Sequence, residues 1–196
     1  MVTGISQTSE IVQPGVEKSK LSTCMIAPAL FQFKDSTFEY SVYKPSSRFL
    51  KDFDTIFPSL SAKTREQLLV IPVVQKCVND MVGFSEVVNK ERDVKLELFV
   101  EWGKLVVDRI KSIGMWAEIM DPASGFPVFG ESGPSPYPDV QGTHMLAPRF
   151  DVQNVGCCHI LLHPTWYSYI YPSTMFTTAP ADVFQKVIDE INQKKL

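Results

Sequence analysis

Cys157 and Cys158 stand side by side in Asn154-Val155-Gly156-Cys157-Cys158-His159-Ile160, and His163 follows four residues after His159. Thiols and imidazoles are the side chains that ionise or ligate metals near neutral pH. A trans peptide bond holds adjacent Cα atoms about 3.8 Å apart, whereas a relaxed disulfide spans roughly 4.4–6.8 Å. A bond between the two sulfurs would therefore be strained and easily reduced. In an extended strand, neighbouring side chains point to opposite faces. Cys158, Ile160 and Leu162 then share one face, and Cys157, His159, Leu161 and His163 share the other. The first set is wholly apolar and reads as core. The second carries two histidines and reads as accessible. Periodicity thus assigns Cys158 to packing and Cys157 to chemistry, and a cationic His159 would favour the Cys157 thiolate. Three other readings stay open. Both cysteines can be small buried hydrophobes. Cys157, His159 and His163 can form a zinc or copper site, although no fourth ligand declares itself. A redox dithiol is the third, and Cys158 is badly placed to complete it.

The rest of the chain offers less chemistry. The carboxylates Asp80, Glu86, Glu118 and Asp121 are scattered and read as turn or solvent-facing groups. Cys24 and Cys77 show no visible partner. No GxSxG, P-loop or GxGxxG element is present. The 196 residues carry a formal net charge of -3, 44% hydrophobic and 21% charged residues, and no dense Lys/Arg stripe. Nucleic acid and an anionic membrane surface are thereby excluded as main partners. The four cysteines lack CxxC spacing, so the expected compartment is reducing and cytoplasmic. The first twenty residues contain Glu10 and Glu17 but no Arg, which is poor material for a mitochondrial leader. From Val152 to Ala181 there is no Asp, Glu, Lys or Arg. His163, Pro164, Ser168, Pro172 and Ser173 interrupt that run, so it is no membrane helix. It reads as two or three buried strands, or in part as a partner interface, because charge is depleted at interface centres.

The elements that must position these residues follow from periodicity. Residues 1–33 show no clear period and are expected to form a flexible tail; residues 34–196 form the domain. Phe38, Tyr40 and Val42 alternate with Glu39, Ser41 and Tyr43 as a half-buried strand. A short helix capped by Ser46 or Ser47 carries Phe49, Leu50, Phe53, Ile56 and Phe57, and Pro58 stops it. Residues 68–75 form a strand in which Pro72 suggests an edge position or a bulge. The strongest helix spans 91–113, with Val94, Leu98, Trp102, Leu105, Arg109 and Ile113 in line and Gly114 as its stop. Residues 116–120 and 126–129 read as a hairpin around Asp121–Gly125. Residues 131–149, with four prolines and two glycines, read as a long loop. Strands at 156–163, 167–171 and 175–178 complete the sheet. A last helix begins near Pro180 and carries Val183, Phe184, Val187, Ile188 and Ile191. This mixed order implies an α+β fold with a mainly antiparallel sheet.

Several blocks in order resemble one family. They are Asp52-Phe53, Phe57-Pro58, Gln75-Lys76, Asn79-Asp80-Met81, Trp116-Ala117-Glu118, Asp121-Pro122-Ala123-Ser124-Gly125, Phe129-Gly130 and Gly156-Cys157-Cys158, with His163, Trp166 and Phe176-Thr177 beyond them. From about Phe38 to the C-terminus the chain is similar to the cobalamin trafficking proteins of the methylmalonic aciduria and homocystinuria type D family. That resemblance implies a nitroreductase-like sandwich whose flavin site is lost, with no enzymatic activity. It implies an adaptor that docks on the cobalamin-loaded type C processing protein. The adaptor directs vitamin B12 to methionine synthase or methylmalonyl-CoA mutase, with methionine synthase a candidate second partner. It binds no cobalamin alone and shares it with the partner. By position, the thiolate offered to cobalt falls on Cys157, with Cys158 as the second choice. Mitochondrial members carry a longer, Arg-rich leader, so the expectation here is a cytosolic form, and a mitochondrial one only with such a leader. The 131–149 segment differs from the family block in composition. The alternative function is a flavin- or thiol-dependent reductase.

Overall fold

The computed structural model describes residues 22–156 and 158–193. Among the described residues seven strands are formed: β1 (Ser22–Phe33), β2 (Ser36–Pro45), β3 (Leu69–Lys76), β4 (Ala117–Ile119), β5 (Asp151–Val155), β6 (Cys158–Leu162) and β7 (Ile170–Thr177). The helices are α1 (Phe53–Ile56), α2 (Ala62–Arg65), α3 (Glu86–Ser112), α4 (Asp139–Leu146) and α5 (Ala181–Gln193). Five strands form one sheet in the order β1-β2-β3-β7-β4, and every pairing in it is antiparallel. Among the described residues β5 and β6 pair only with each other, as a separate antiparallel ribbon. The result is a mixed α/β architecture with a mainly antiparallel sheet.

The sheet is buried on both faces. On one face Phe38, Tyr40, Ile71, Val73 and Met175 meet Phe99, Trp102 and Val106 of α3 and Phe184 and Ile188 of α5. On the other, Tyr43, Val70, Val74 and Phe176 meet Phe53, Phe57, Tyr137, Leu146, Phe150 and Leu161. That second layer explains a correction to β2, which was expected to be half-buried. Glu39, Ser41 and Tyr43 are buried as fully as their apolar neighbours, because α1, α4 and the β5–β6 ribbon cover them.

The start of the domain is also corrected. Residues 22–33 do not form a tail: they add an edge strand to β2, turning at Lys34, whose φ is +49°. Only Phe31 and Phe33 of β1 are buried, so the strand carries almost no apolar period to announce itself. Residues 1–21 lie outside the described part. β3 is central rather than an edge, despite Pro72. Its register with β7 runs unbroken through Pro72↔Thr174, while the pairing with β2 passes from Tyr40↔Val73 to Tyr43↔Val70. Pro72, which has no N–H to donate, falls in that gap.

Ser85 caps α3 by accepting from the Val88 N–H at 3.4 Å, and Gly114 follows its last turn with φ +79°. The buried stripe of α3 is Val88, Lys95, Phe99, Trp102, Gly103, Val106, Val107 and Ile110. It is rotated from the expected line, leaving Val94 52% and Ile113 39% exposed. α5 buries Phe184, Val187, Ile188 and Ile191, as its spacing implies. The proline-rich 131–149 segment is not simply a loop, because it contains α4, whose Leu146 is fully buried. The strand around the cysteines is likewise not part of the main sheet. Gly156, with φ +63°, reverses the chain there, so β6 pairs back on β5.

Candidate functional site

Cys158, the second of the paired cysteines, sits at the tip of the β5–β6 ribbon. Val155 pairs with Cys158 at that tip, and Asp151 pairs with Leu162 at the base. Cys157 lies outside the described residues. Cys158 is exposed, and so are Gly156 and His159 on either side of the motif. The assignment of Cys158 to packing is therefore overturned. Along β6 it is Leu161, 3% exposed, and then His163, 2% exposed, that turn inward, while Ile160 and Leu162 are only half-buried. From Ile160 to His163 the period of two holds with its phase reversed, while Cys158 and His159 are both exposed, the latter as expected. The ribbon lies over the second core layer, and that layer receives Leu161 rather than the Cys158-Ile160-Leu162 face.

His163 is not a surface ligand. Its Nδ1 accepts from the Thr165 and Trp166 N–H groups at 3.2 and 3.0 Å. The ring proton is thus on Nε2, which donates to Oε2 of Glu39 at 3.2 Å. Arg149 Nη2 also lies 3.1 Å from Nε2, a packing contact, since both atoms carry protons. Trp166 stacks on the imidazole at 4.4 Å, and Phe150 meets it edge-on at 5.6 Å. With both ring nitrogens engaged, His163 has no lone pair for a metal, and the Cys157/His159/His163 metal reading loses its third member. Among the described residues no three His, Cys, Asp or Glu side chains are grouped to hold an ion.

Glu39 is the hub of this cluster. Its carboxylate accepts from His163 and forms an ion pair with Arg149, whose Nη1 meets Oε1 and whose Nη2 lies 3.4 Å from Oε2. Burial opposes the Glu39 charge, but the hydrogen bonds from His163 and Arg149 outweigh it and hold the carboxyl below its ordinary range. Sequence reading placed Glu39 on the outward face of β2 and gave Arg149 no role. No signal along the chain marks it, because Glu39 shares its face of β2 with Ser41 and Tyr43 and fits a half-buried strand.

A cavity of about 390 Å³ opens beside the ribbon. Leu96 of α3, Pro122, Asp139, His159, Ile160 and Tyr171 are among its walls. Asp139 opens α4, and its Oδ1 accepts from the Thr174 hydroxyl, while Oδ2 and the Tyr137 hydroxyl are buried without a partner. Burial raises the Asp139 carboxyl from 3.8 to about 7. The Tyr171 phenol is raised as well, first by burial and then by the charges of Asp121 and Asp139.

Of the scattered carboxylates, Asp80 and Asp121 make the turn contacts expected of them: Asp80 accepts from Val82 N–H and Asp121 from Ala123 N–H, both at 3.0 Å. Glu86 is exposed in the first turn of α3. Glu118 differs. It is 2% exposed, and Oε1 accepts from Ile119 N–H at 2.9 Å and Phe129 N–H at 3.1 Å. Burial raises its carboxyl. It pins the Phe129-Gly130 backbone so closely that a Cβ on Gly130 would meet Oε2 at 2.7 Å.

The fold and this ribbon define the chain as a mixed α/β protein presenting Cys158 at the tip of an accessory hairpin. Comparison with known proteins narrows that class. Residues 8–190 match the family described as methylmalonic aciduria and homocystinuria type D protein, and the chain belongs to that family. It is 31% identical over 157 residues to a mouse and to a human protein named cobalamin trafficking protein CblD, covering 76% of this chain and 49% of theirs. The chicken protein of the same name is 32% identical over the same length. The chain thus spans about half the length of the curated relatives it matches.

Proposed function

We propose that the protein is a non-catalytic adaptor in intracellular cobalamin trafficking. It docks on a type C processing protein already loaded with cobalamin and offers the Cys157 thiolate to the cobalt of that cargo. The observation that carries this reading is the accessory ribbon itself. It pairs apart from the main sheet and carries Cys158 exposed at its tip, and beyond Asp151 at its base the described exposed positions, Gln153, Asn154, Gly156, Cys158 and His159, include no Asp, Glu, Lys or Arg. Surface that is uncharged and also exposed fits a face that is covered when a partner binds. A soft thiolate suits a cobalt centre in such an interface. Membership of a family whose named relatives traffic cobalamin supports the choice of cargo.

The framework in this reading is nitroreductase-like with its flavin site lost, and the purified protein is colourless. The protein works in the cytosol and hands cobalamin on toward methionine synthase. No described helix is long and apolar enough to cross a membrane. The deciding experiment mixes the protein with the cobalamin-loaded type C protein and records the visible spectrum. A shift is expected with the native chain and with Cys158→Ser, but not with Cys157→Ser. A shift that survives Cys157→Ser and vanishes with Cys158→Ser would move the role to the second cysteine.

A further inference from the structure

Among the described residues, one carboxylate joins both strands of the ribbon's base to the main sheet. Arg149 lies two residues before β5 and His163 one residue after β6, so they mark the two strands at the ribbon's base. Both reach the same group, Glu39 on β2, through the Arg149 ion pair and the 3.2 Å hydrogen bond from His163. Glu39 and His163 are buried, at 6% and 2% exposure. An isolated two-stranded ribbon is marginal in water, and Phe150 and Leu161 supply its apolar attachment. Apolar contact is non-directional. The charged cluster is what specifies angle, because a guanidinium and an imidazole N–H must both meet one carboxylate.

Angle matters at the other end. Five register pairs run from Asp151↔Leu162 to Val155↔Cys158. At about 3.4 Å per residue the tip stands about 14 Å from the base. A tilt of about 10° would displace it by about 2 Å, whereas misplacement of about 1 Å is enough to cost a reaction a hundredfold. A buried ion pair seldom stabilises more than apolar residues of the same volume, so its best use is to select one arrangement.

We propose that Glu39, through Arg149 and His163, is the positioning residue that fixes the orientation of the cysteine-bearing ribbon. The part of this inference that concerns cobalt rests on the function proposed above. The test uses Glu39→Gln and Arg149→Lys in the full chain, with hydrogen exchange read in the absence of any partner. Glu39→Gln is expected to speed exchange in 151–162 by about tenfold or more, while β3 and β7 change less than about twofold. Arg149→Lys keeps the charge but loses the two-point fork, and is expected to fall between. The same variants then show the cobalamin spectral shift only at higher concentration, in the same order. Unchanged exchange in 151–162, or an equal rise across β3 and β7, overturns the proposal. If Glu39→Gln does not fold, Arg149→Lys decides alone, because Arg149 is 27% exposed and its replacement leaves no buried charge stranded without a cation. A native chain that gives no spectral shift would sink the cobalt reading, yet the exchange data would still decide the clamp.

Discussion

Individual residues here have chemistry set by burial more than by type. Cys77 is a cysteine like Cys158, yet it is buried and its thiol is raised to about 12, first by burial and then by the Glu91 charge. At pH 8 only about one Cys77 in ten thousand would be ionised. Iodoacetamide at pH 8 should therefore label Cys24 and Cys158 in the native protein and spare Cys77 until it unfolds, as read by peptide mass spectrometry. Asp139 makes the opposite kind of test. Its folded carboxyl titrates at about 7 against 3.8 when free. Between those values the folded chain holds a proton that the unfolded chain has lost, so stability falls as pH rises through about 4 to 7. Asp139→Asn keeps an acceptor for Thr174 and removes the titration. The unfolding free energy of the native chain, from urea titrations, should drop relative to Asp139→Asn across that window, by an amount on the order of a few kcal/mol at pH 8. Parallel curves would mean that Asp139 is charged and solvated in the fold.

At the scale of elements, close approach and register decide more than propensity. α3 packs on β4 through Gly103, where a Cβ would meet Ile119 Cδ1 at 2.8 Å and Cγ2 at 2.9 Å. Ala is better than Gly in a helix by about 1 kcal/mol, but overpacking a core costs about 1–3 kcal/mol. Gly103→Ala should therefore be neutral to destabilising, by up to about 2 kcal/mol in urea unfolding. Adding Ile119→Val should recover part of the loss, giving a non-additive double-mutant cycle. A Gly103→Ala chain more stable than the native one would show that α3 does not seat on β4 as described. The helices α3 and α5 were legible in the sequence because an apolar stripe at 3.6-residue spacing survives tertiary packing. β1 was not, because an edge strand with only Phe31 and Phe33 buried has no period to read. α4 hid among prolines and glycines, since it is held by Tyr137, Leu146 and Ala147 packing on the sheet rather than by local pattern.

For the whole molecule, the uncharged run has two fates. β7 is buried between β3 and β4, while β5 and the start of β6 face solvent. The buried-strand reading holds for β7, and the exposed positions of β5 and β6 are the surface that the proposed docking would cover. The exposed part yields the test of docking. Gln153→Glu and Asn154→Lys are surface changes, expected to alter stability by no more than about 0.5 kcal/mol. Under the function proposed above, each should nevertheless weaken binding to the cobalamin-loaded type C protein, measured by pull-down or calorimetry, because a charge brought into the covered face must be desolvated. Full affinity with both variants would place the docking face elsewhere.

By itself the sequence determined the class of fold, the two long helices, the turn at Asp121–Gly125 and the family, because each is written in local spacing or in ordered short blocks. It also singled out the paired cysteines. The tertiary structure alone decided which face of β6 turns inward. A period of two is blind to its own phase, and only the layer of Phe53, Leu146 and Phe150 beneath the ribbon selects Leu161 and His163 for burial and leaves Cys158 outside. It alone brought Glu39, Arg149 and His163 together, from positions more than a hundred residues apart in the case of Glu39. Such a cluster has no signature along the chain, since its geometry exists only once the ribbon has folded back on the sheet.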